Sequence, residues 1–185
     1  AMAKHGVEGY SLNAVPADWM RVNLRSKTPV DYGYVGDVEM TRRRGIKRLF
    51  KVTNFIAVPC LTYTEDGVMA NINADTIATE LAIGISADKL IFLSNVDGVK
   101  DKNGETIFMI SDAEIDGLIA DGTVSDGMQV KMVNCRRALS EGVKRIHLIN
   151  GLRENALEKE IFESVGPGTM IISDAEKDIY MNEVE

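Results

Sequence analysis

The sequence predicts an α/β layered fold. Apolar runs of strand length alternate with segments of helical period, turn residues mark the joints between them, and the composition is that of a globular chain. Of 185 residues, 45% are hydrophobic and 26% charged, with 16 Gly and 4 Pro. These figures exclude a disordered chain.

Taken in order, Phe55-Ile56-Ala57-Val58 reads as a short strand, ended by Pro59 because proline has no N–H to donate. Glu65-Asp66-Gly67 is a turn, so Val68 onward pairs back as a hairpin. Asn71 to Asp75 runs into a buried helix over 76–83, with Asn73 at the N-cap and Asp75 in the first turn. Lys89 to Leu93 is a strongly apolar strand that opens into the loop 94–99, and Asn103-Gly104 is a hairpin turn. Ser111-x-x-Glu114 is a capping box for a short helix that runs to about Ala120. Ser125 caps a helix that carries Lys131 and continues through Leu139 to a stop at Gly142. Arg145 to Ile149 is a second buried strand and 156–162 a helix. Gly166-Pro167-Gly168-Thr169 then turns into a closing strand over 170–172. The polar tail after Ser173 is expected to fray. No internal repeat and no low-complexity linker interrupts the pattern.

The net charge is −7. Residues 1–51 carry 10 Lys and Arg against 5 Asp and Glu, whereas residues 52–185 carry 11 against 23. An acidic majority argues against nucleic acid as a partner. The basic run Arg42, Arg43, Arg44, Lys47, Arg48, Lys51 contains Ile46, Leu49 and Phe50, so it reads as a helix with an apolar stripe and a solvated basic face. The longest apolar run, Phe55 to Leu61, is broken by Pro59 and falls short of the roughly 20 residues of a membrane span. The first residues show no secretion signal. Cys60 and Cys135 lack metal-like spacing and read as reduced core thiols of a cytoplasmic protein. With His5 and His147 as the only histidines, a histidine-rich metal site is excluded.

Three features could carry chemistry. Asn71-x-Asn73-x-Asp75 stands where a strand enters a helix, and a helix N-terminus offers backbone donors to an anion. Lys131 lies about six residues into a capped helix, and helical side chains lean toward the N-terminus. The loop Ser94 to Gly98 follows a buried strand, the place where open α/β sheets bind ligands. Singly, each has an ordinary reading as a cap and turn, a surface lysine or a generic loop.

Together they fit a known pattern. The order and spacing of Val35-Gly36-Asp37-Val38-Glu39, Ala70-Asn71-Ile72-Asn73-Ala74-Asp75-Thr76, Leu93-Ser94-Asn95-Val96-Asp97-Gly98-Val99, Asp126-Gly127-Met128-x-x-Lys131 and Gly168-Thr169-Met170-Ile171 resemble the amino acid kinase family, and within it the acetylglutamate kinases. The resemblance implies a three-layer αβα sandwich with a mainly parallel central sheet. It also implies a division into residues 1–85, the remnant of an acyl-amino-acid-binding domain, and residues 86–185, a nucleotide-binding domain. The implied chemistry is transfer of the γ-phosphoryl group of ATP to the γ-carboxylate of an N-acylated glutamate.

Residue by residue, Asn71 matches the residue holding the α-carboxylate side of the substrate, with Asn73 beside it. Asp75 matches an aspartate that accepts hydrogen bonds from two catalytic lysines, and Lys131 matches the second of those lysines. Ser94, Asn95, Val96, Asp97, Gly98, Gly127 and Met128 match the nucleotide site. The implied cofactor is ATP with Mg²⁺ held mainly by the nucleotide and by no protein metal site. The implied assembly is a homodimer, without nucleic acid or membrane. The family's Lys-x-Gly-Gly strand end and Gly-Gly-Gly loop have no counterpart in these 185 residues. The resemblance therefore implies that roughly 100 residues of family length precede Ala1.

Overall fold

The computed structural model describes residues 2–11, 19–163 and 165–184. The chain divides into two compact units, Ala1–Ile85 and Ser86–Glu185.

In the first unit, β1 (Tyr10–Ser11) pairs in parallel with β4 (Ile56–Ala57). β2 (Met20–Leu24) and β3 (Gly36–Thr41) form an antiparallel pair with an irregularity between Arg21 and Val22. β5 (Leu61–Tyr63) and β6 (Met69–Asn71) form the hairpin expected around Glu65-Asp66-Gly67, closed by the Thr64 N–H donating to the Val68 carbonyl at 2.9 Å. Among its described residues the unit also carries two α-helices, α1 (Arg43–Leu49) and α2 (Ala74–Ile85), and a 3-10 turn at Met2–His5.

Alternation decides what is buried there. Met20 and Val22 turn inward from β2 while Arg21 stays at the boundary, as the period of a strand requires. They join Trp19, Ile46, Ala70, Ile72 and Ile77 in one core, each large side chain contributing about 1.5–3 kcal/mol. Among the described side chains of α1 Ile46 alone is fully inside, and Arg43, Arg44, Lys47 and Arg48 face solvent, so the basic run is the solvated face expected. Phe50 does not extend the stripe: it stands beyond the helix end and is exposed. The Leu49 side chain lies outside the described residues.

The second unit is built on one sheet of strand order β7-β9-β10-β8, with β7 (Lys89–Ser94), β8 (Met109–Ser111), β9 (Arg145–Asn150) and β10 (Thr169–Ile172). β7 runs parallel to β9 and β8 parallel to β10, while β9 and β10 are antiparallel. The sheet is thus mainly parallel. Ile146, His147, Leu148 and Ile149 are buried in succession. Neighbouring residues point to opposite faces, so both faces of β9 are covered and the unit is layered helix, sheet, helix. One face meets α4 (Asp126–Ser140), and the other meets α5 (Ala156–Phe162) and α6 (Asp174–Val184). The short helix α3 (Ile115–Ala120) follows a 3-10 turn.

Most local signals are realised. The capping box at Ser111 and Glu114 is present with both bonds. α4 ends as a Schellman motif: the N–H of Gly142 (φ +100°) reaches the Leu139 carbonyl and that of Val143 the Ala138 carbonyl, each at 3.0 Å. Two expectations are corrected. Ser125 occupies the N-cap position of α4 without capping it, because its hydroxyl donates to the Asp126 carboxylate at 3.2 Å. The tail after Ser173 does not fray. It forms α6, whose Tyr180 packs on Met170 and Ile172 and whose Glu176 accepts from Arg145 at 2.9 Å.

Across the sheet, the Nδ1–H of His147 donates to Glu160 of α5 at 2.5 Å, with both side chains buried. Cys135 is buried, Cys60 is half-buried, and neither is in a disulfide. Among the described residues no helix is long and apolar enough to cross a membrane.

Candidate functional site

The parallel strands β7 and β9 end together. Ser94 is opposite Asn150, and the Gly151 N–H donates to the Ser94 carbonyl at 2.8 Å. The loop after β7 is held against that junction by Asp97. The Asn150 amide donates to Asp97 Oδ1 at 2.9 Å, and Arg153 grips both carboxylate oxygens through Nε and Nη2. A fork of this kind fixes orientation as well as charge. The Arg153 hydrogen bond, followed by that from Asn150, holds the Asp97 carboxyl below the usual carboxylate range.

The other end of the loop is set by Gly98. Its φ of +142° is a backbone that side chains rarely adopt, and a Cβ there would collide with Thr169 Oγ1. That hydroxyl accepts from the Val99 N–H at 2.9 Å and donates to the Ile107 carbonyl at 2.7 Å. Asp97 and Gly98 therefore shape the loop, whereas Asn95 and Val96 are its exposed members and Ser94 is half-buried.

α4 delivers the positive charge. The Met128 and Gln129 N–H groups donate to the Ser125 carbonyl at 3.1 and 3.2 Å, closing the first turn. Gly127 is exposed, with nothing within 4 Å of where a Cβ would stand, and Met128 is half-buried. Lys131 is not a bland surface lysine: it is half-buried, with Nζ 4.7 Å from the centroid of the Phe92 ring. Phe92 and Ser94 are two residues apart on β7 and share a face, so the ammonium stands over the strand end that carries the loop.

Asn71, Asn73 and Asp75 belong to the first unit. Ile72 is buried between Asn71 and Asn73, which are both exposed. Asn71 closes β6, bridges to Val35 and donates its N–H to the Tyr34 carbonyl at 2.8 Å. Asn73 caps α2 as expected, its Oδ1 accepting from the Thr76 N–H at 3.1 Å. That bond commits the oxygen of Asn73 to the helix end. Asp75 lies half-buried in the first turn.

Phe92, Asn150, Arg153 and the Thr169 hydroxyl were missed as site residues. A signal existed for one pair, since Asn150-Gly151 follows a buried strand just as Ser94 does. Among the described residues no cluster of three His, Cys, Asp or Glu could hold a metal ion.

Fold and site together define an α/β protein with a fixed glycine-bearing loop and a lysine at the carboxyl ends of parallel strands. The chain belongs to the amino acid kinase family, which matches residues 1–150. It is 37% identical over 171 residues to acetylglutamate kinase of Neisseria gonorrhoeae, covering 92% of this chain and 57% of that one. To acetylglutamate kinase of Geobacter sp. it is 40% identical over 146 residues, covering 79% and 50%. The chain thus spans about half the length of the curated relatives it matches. Among solved structures, the smu.665 protein of Streptococcus mutans UA159 superposes with a TM-score of 0.71 at 29% identity, covering 93% of this chain and 64% of that one. N-acetylglutamate synthase from Neisseria gonorrhoeae, solved with coenzyme A and N-acetyl-glutamate, gives a TM-score of 0.82 at 22% identity, covering 93% and 39%. At that identity the likeness shows the fold alone.

Proposed function

We propose that this chain serves ATP-dependent phosphorylation of the γ-carboxylate of N-acetyl-L-glutamate. The observation that carries the reading is the match to acetylglutamate kinase over 92% of the chain, a stretch that contains both the Asn71–Asp75 block and Lys131.

In this reading a γ-carboxylate oxygen attacks the γ-phosphorus of ATP, the bond to the bridging oxygen breaks, and ADP leaves with that electron pair. No general base is needed, because a carboxylate is already ionised at neutral pH. ATP with Mg²⁺ supplies the phosphoryl group and part of the charge neutralisation when bound. The chain's own residues position and stabilise. Lys131 meets the phosphates, aided by the positive end of α4. The 94–98 loop and residues 127–128 line the nucleotide, with Asp97 and Gly98 setting the loop's shape. Asn71, with Asn73, binds the acylated amino acid, and Asp75 is the orienting carboxylate. Self-association as a homodimer belongs to the same reading, and sedimentation at high concentration checks it.

The second reading is a nucleotide-binding module that transfers nothing, in which the 94–98 loop and Lys131 hold the nucleotide without passing on its phosphoryl group. Calorimetry with ADP and Mg²⁺, alongside release of ADP from ATP with N-acetyl-L-glutamate, separates the two. Binding with transfer supports the kinase, and binding without transfer supports the module. No binding up to millimolar ADP overturns both. Transfer to N-succinylglutamate in preference to the acetyl compound would move the substrate assignment.

A further inference from the structure

We propose that Phe92 is a positioning residue for Lys131, its ring holding the ammonium at the carboxyl end of β7 where nucleotide phosphates are received. The inference rests on the nucleotide-binding reading above and adds a residue that neither the motifs nor the resemblance singled out.

Burial alone accounts for an apolar residue at position 92, which is 4% exposed. It does not account for a ring. The buried positions sharing that face of the sheet are Leu90, Ile110, Ile146, Leu148, Thr169 and Ile171, none of them aromatic. The aromatic side chain stands at the strand end, one same-face step of roughly 7 Å before Ser94, and beneath the one lysine of α4. The centroid distance of 4.7 Å is within cation–π range.

The choice of a ring has a chemical logic. A lysine has many rotamers, and ordering it on binding opposes affinity. The negative face of an aromatic ring attracts a cation without carrying net charge. Phosphate can therefore take the ammonium from the ring, and the ring contributes no repulsion.

The test replaces Phe92 site-specifically by 4-fluoro-, 3,5-difluoro- and 3,4,5-trifluorophenylalanine. Fluorine withdraws density from the ring face at nearly constant size, so packing is preserved while the cation–π attraction falls stepwise. The readout is affinity for ADP with Mg²⁺, in the parent and in a Lys131→Met background. The expected result is graded weakening in the parent, about fivefold across the series, and a flat series in Lys131→Met. A flat series in the parent, or an equal slope in both backgrounds, overturns the positioning role alone. A parent that binds no ADP overturns the nucleotide reading and this role with it. Phe92→Leu should match the trifluoro variant; parent-like affinity in a folded Phe92→Leu protein also overturns the proposal.

Discussion

Arg153 Nε lies 2.7 Å from Asp97 Oδ1 and Arg153 Nη2 lies 2.6 Å from Asp97 Oδ2, a two-point grip between the loops that follow β7 and β9. Because both residues are near the surface, the grip fixes a loop more than it stabilises a fold. Arg153→Ala should therefore speed amide hydrogen exchange in residues 95–98 while leaving the melting temperature nearly unchanged. Exchange rates equal to the parent's would show that Asn150, Gly98 and Thr169 hold the loop without Arg153.

Asp121 offers a pH prediction. Bonds from Thr123, first its side chain, and from Lys102 lower its carboxyl from 3.8 to about 2. The folded value is depressed, so the contribution to stability is fully present above the unfolded value and is lost as pH falls through the folded one. Asp121→Asn should thus destabilise at pH 6 and converge with the parent as pH falls from 3.8 toward about 2. Urea denaturation of both proteins across that window measures it, and parallel curves would count against it.

The His147–Glu160 pair predicts a non-additive cycle. Removing one partner leaves the other polar group buried, at a cost of about 3 kcal/mol. His147→Leu should therefore be markedly destabilising, and His147→Leu with Glu160→Leu should recover a large part of that loss. Costs that simply add in chemical denaturation would mean the two side chains do not act as a pair.

On the kinase reading proposed above, Lys131 and Asn71 have different roles and should fail differently in a phosphoryl-transfer assay. Lys131→Ala removes charge stabilisation from the transition state, and turnover should drop about 100-fold, or about 2.7 kcal/mol. Asn71→Ala removes ground-state binding and should chiefly raise KM for the acylated glutamate. Turnover within a few-fold of the parent in Lys131→Ala would return that residue to a structural role.

What was legible in the sequence was local. The β7 run, the Asn73 cap, the Ser111 capping box and the Gly142 stop are each written within a few neighbouring residues, and each appears where expected. β2 was not read although Met20-Arg21-Val22-Asn23-Leu24 alternates apolar and polar residues, because five residues with only Met20 and Val22 turned inward make a weak signal. α6 was missed although Ser173-x-x-Glu176 repeats the box seen at 111–114, because among its described side chains Tyr180 alone is buried, in place of an apolar stripe. Glu160 looked like any polar helix residue until the fold set His147 against it. In the site, Lys131 and the 94–98 loop stood out only as part of a pattern. Arg153, Asn150 and Phe92 act through partners on other elements, and spacing along one chain does not encode such pairings.

The reversed direction of β10 has a consequence for how this site can vary. At the rim where β7 and β9 finish, β10 begins, and its first residue, Thr169, supports the loop containing Gly98. The rim is therefore furnished by outgoing strands on one side and an incoming strand on the other. A change in the turn that precedes Thr169 reaches the 94–98 loop as directly as a change in the loop itself, although some 70 positions separate them. Lengthening or stiffening that turn offers a way to retune the mouth of the site from a segment that contributes none of the residues assigned to bind there.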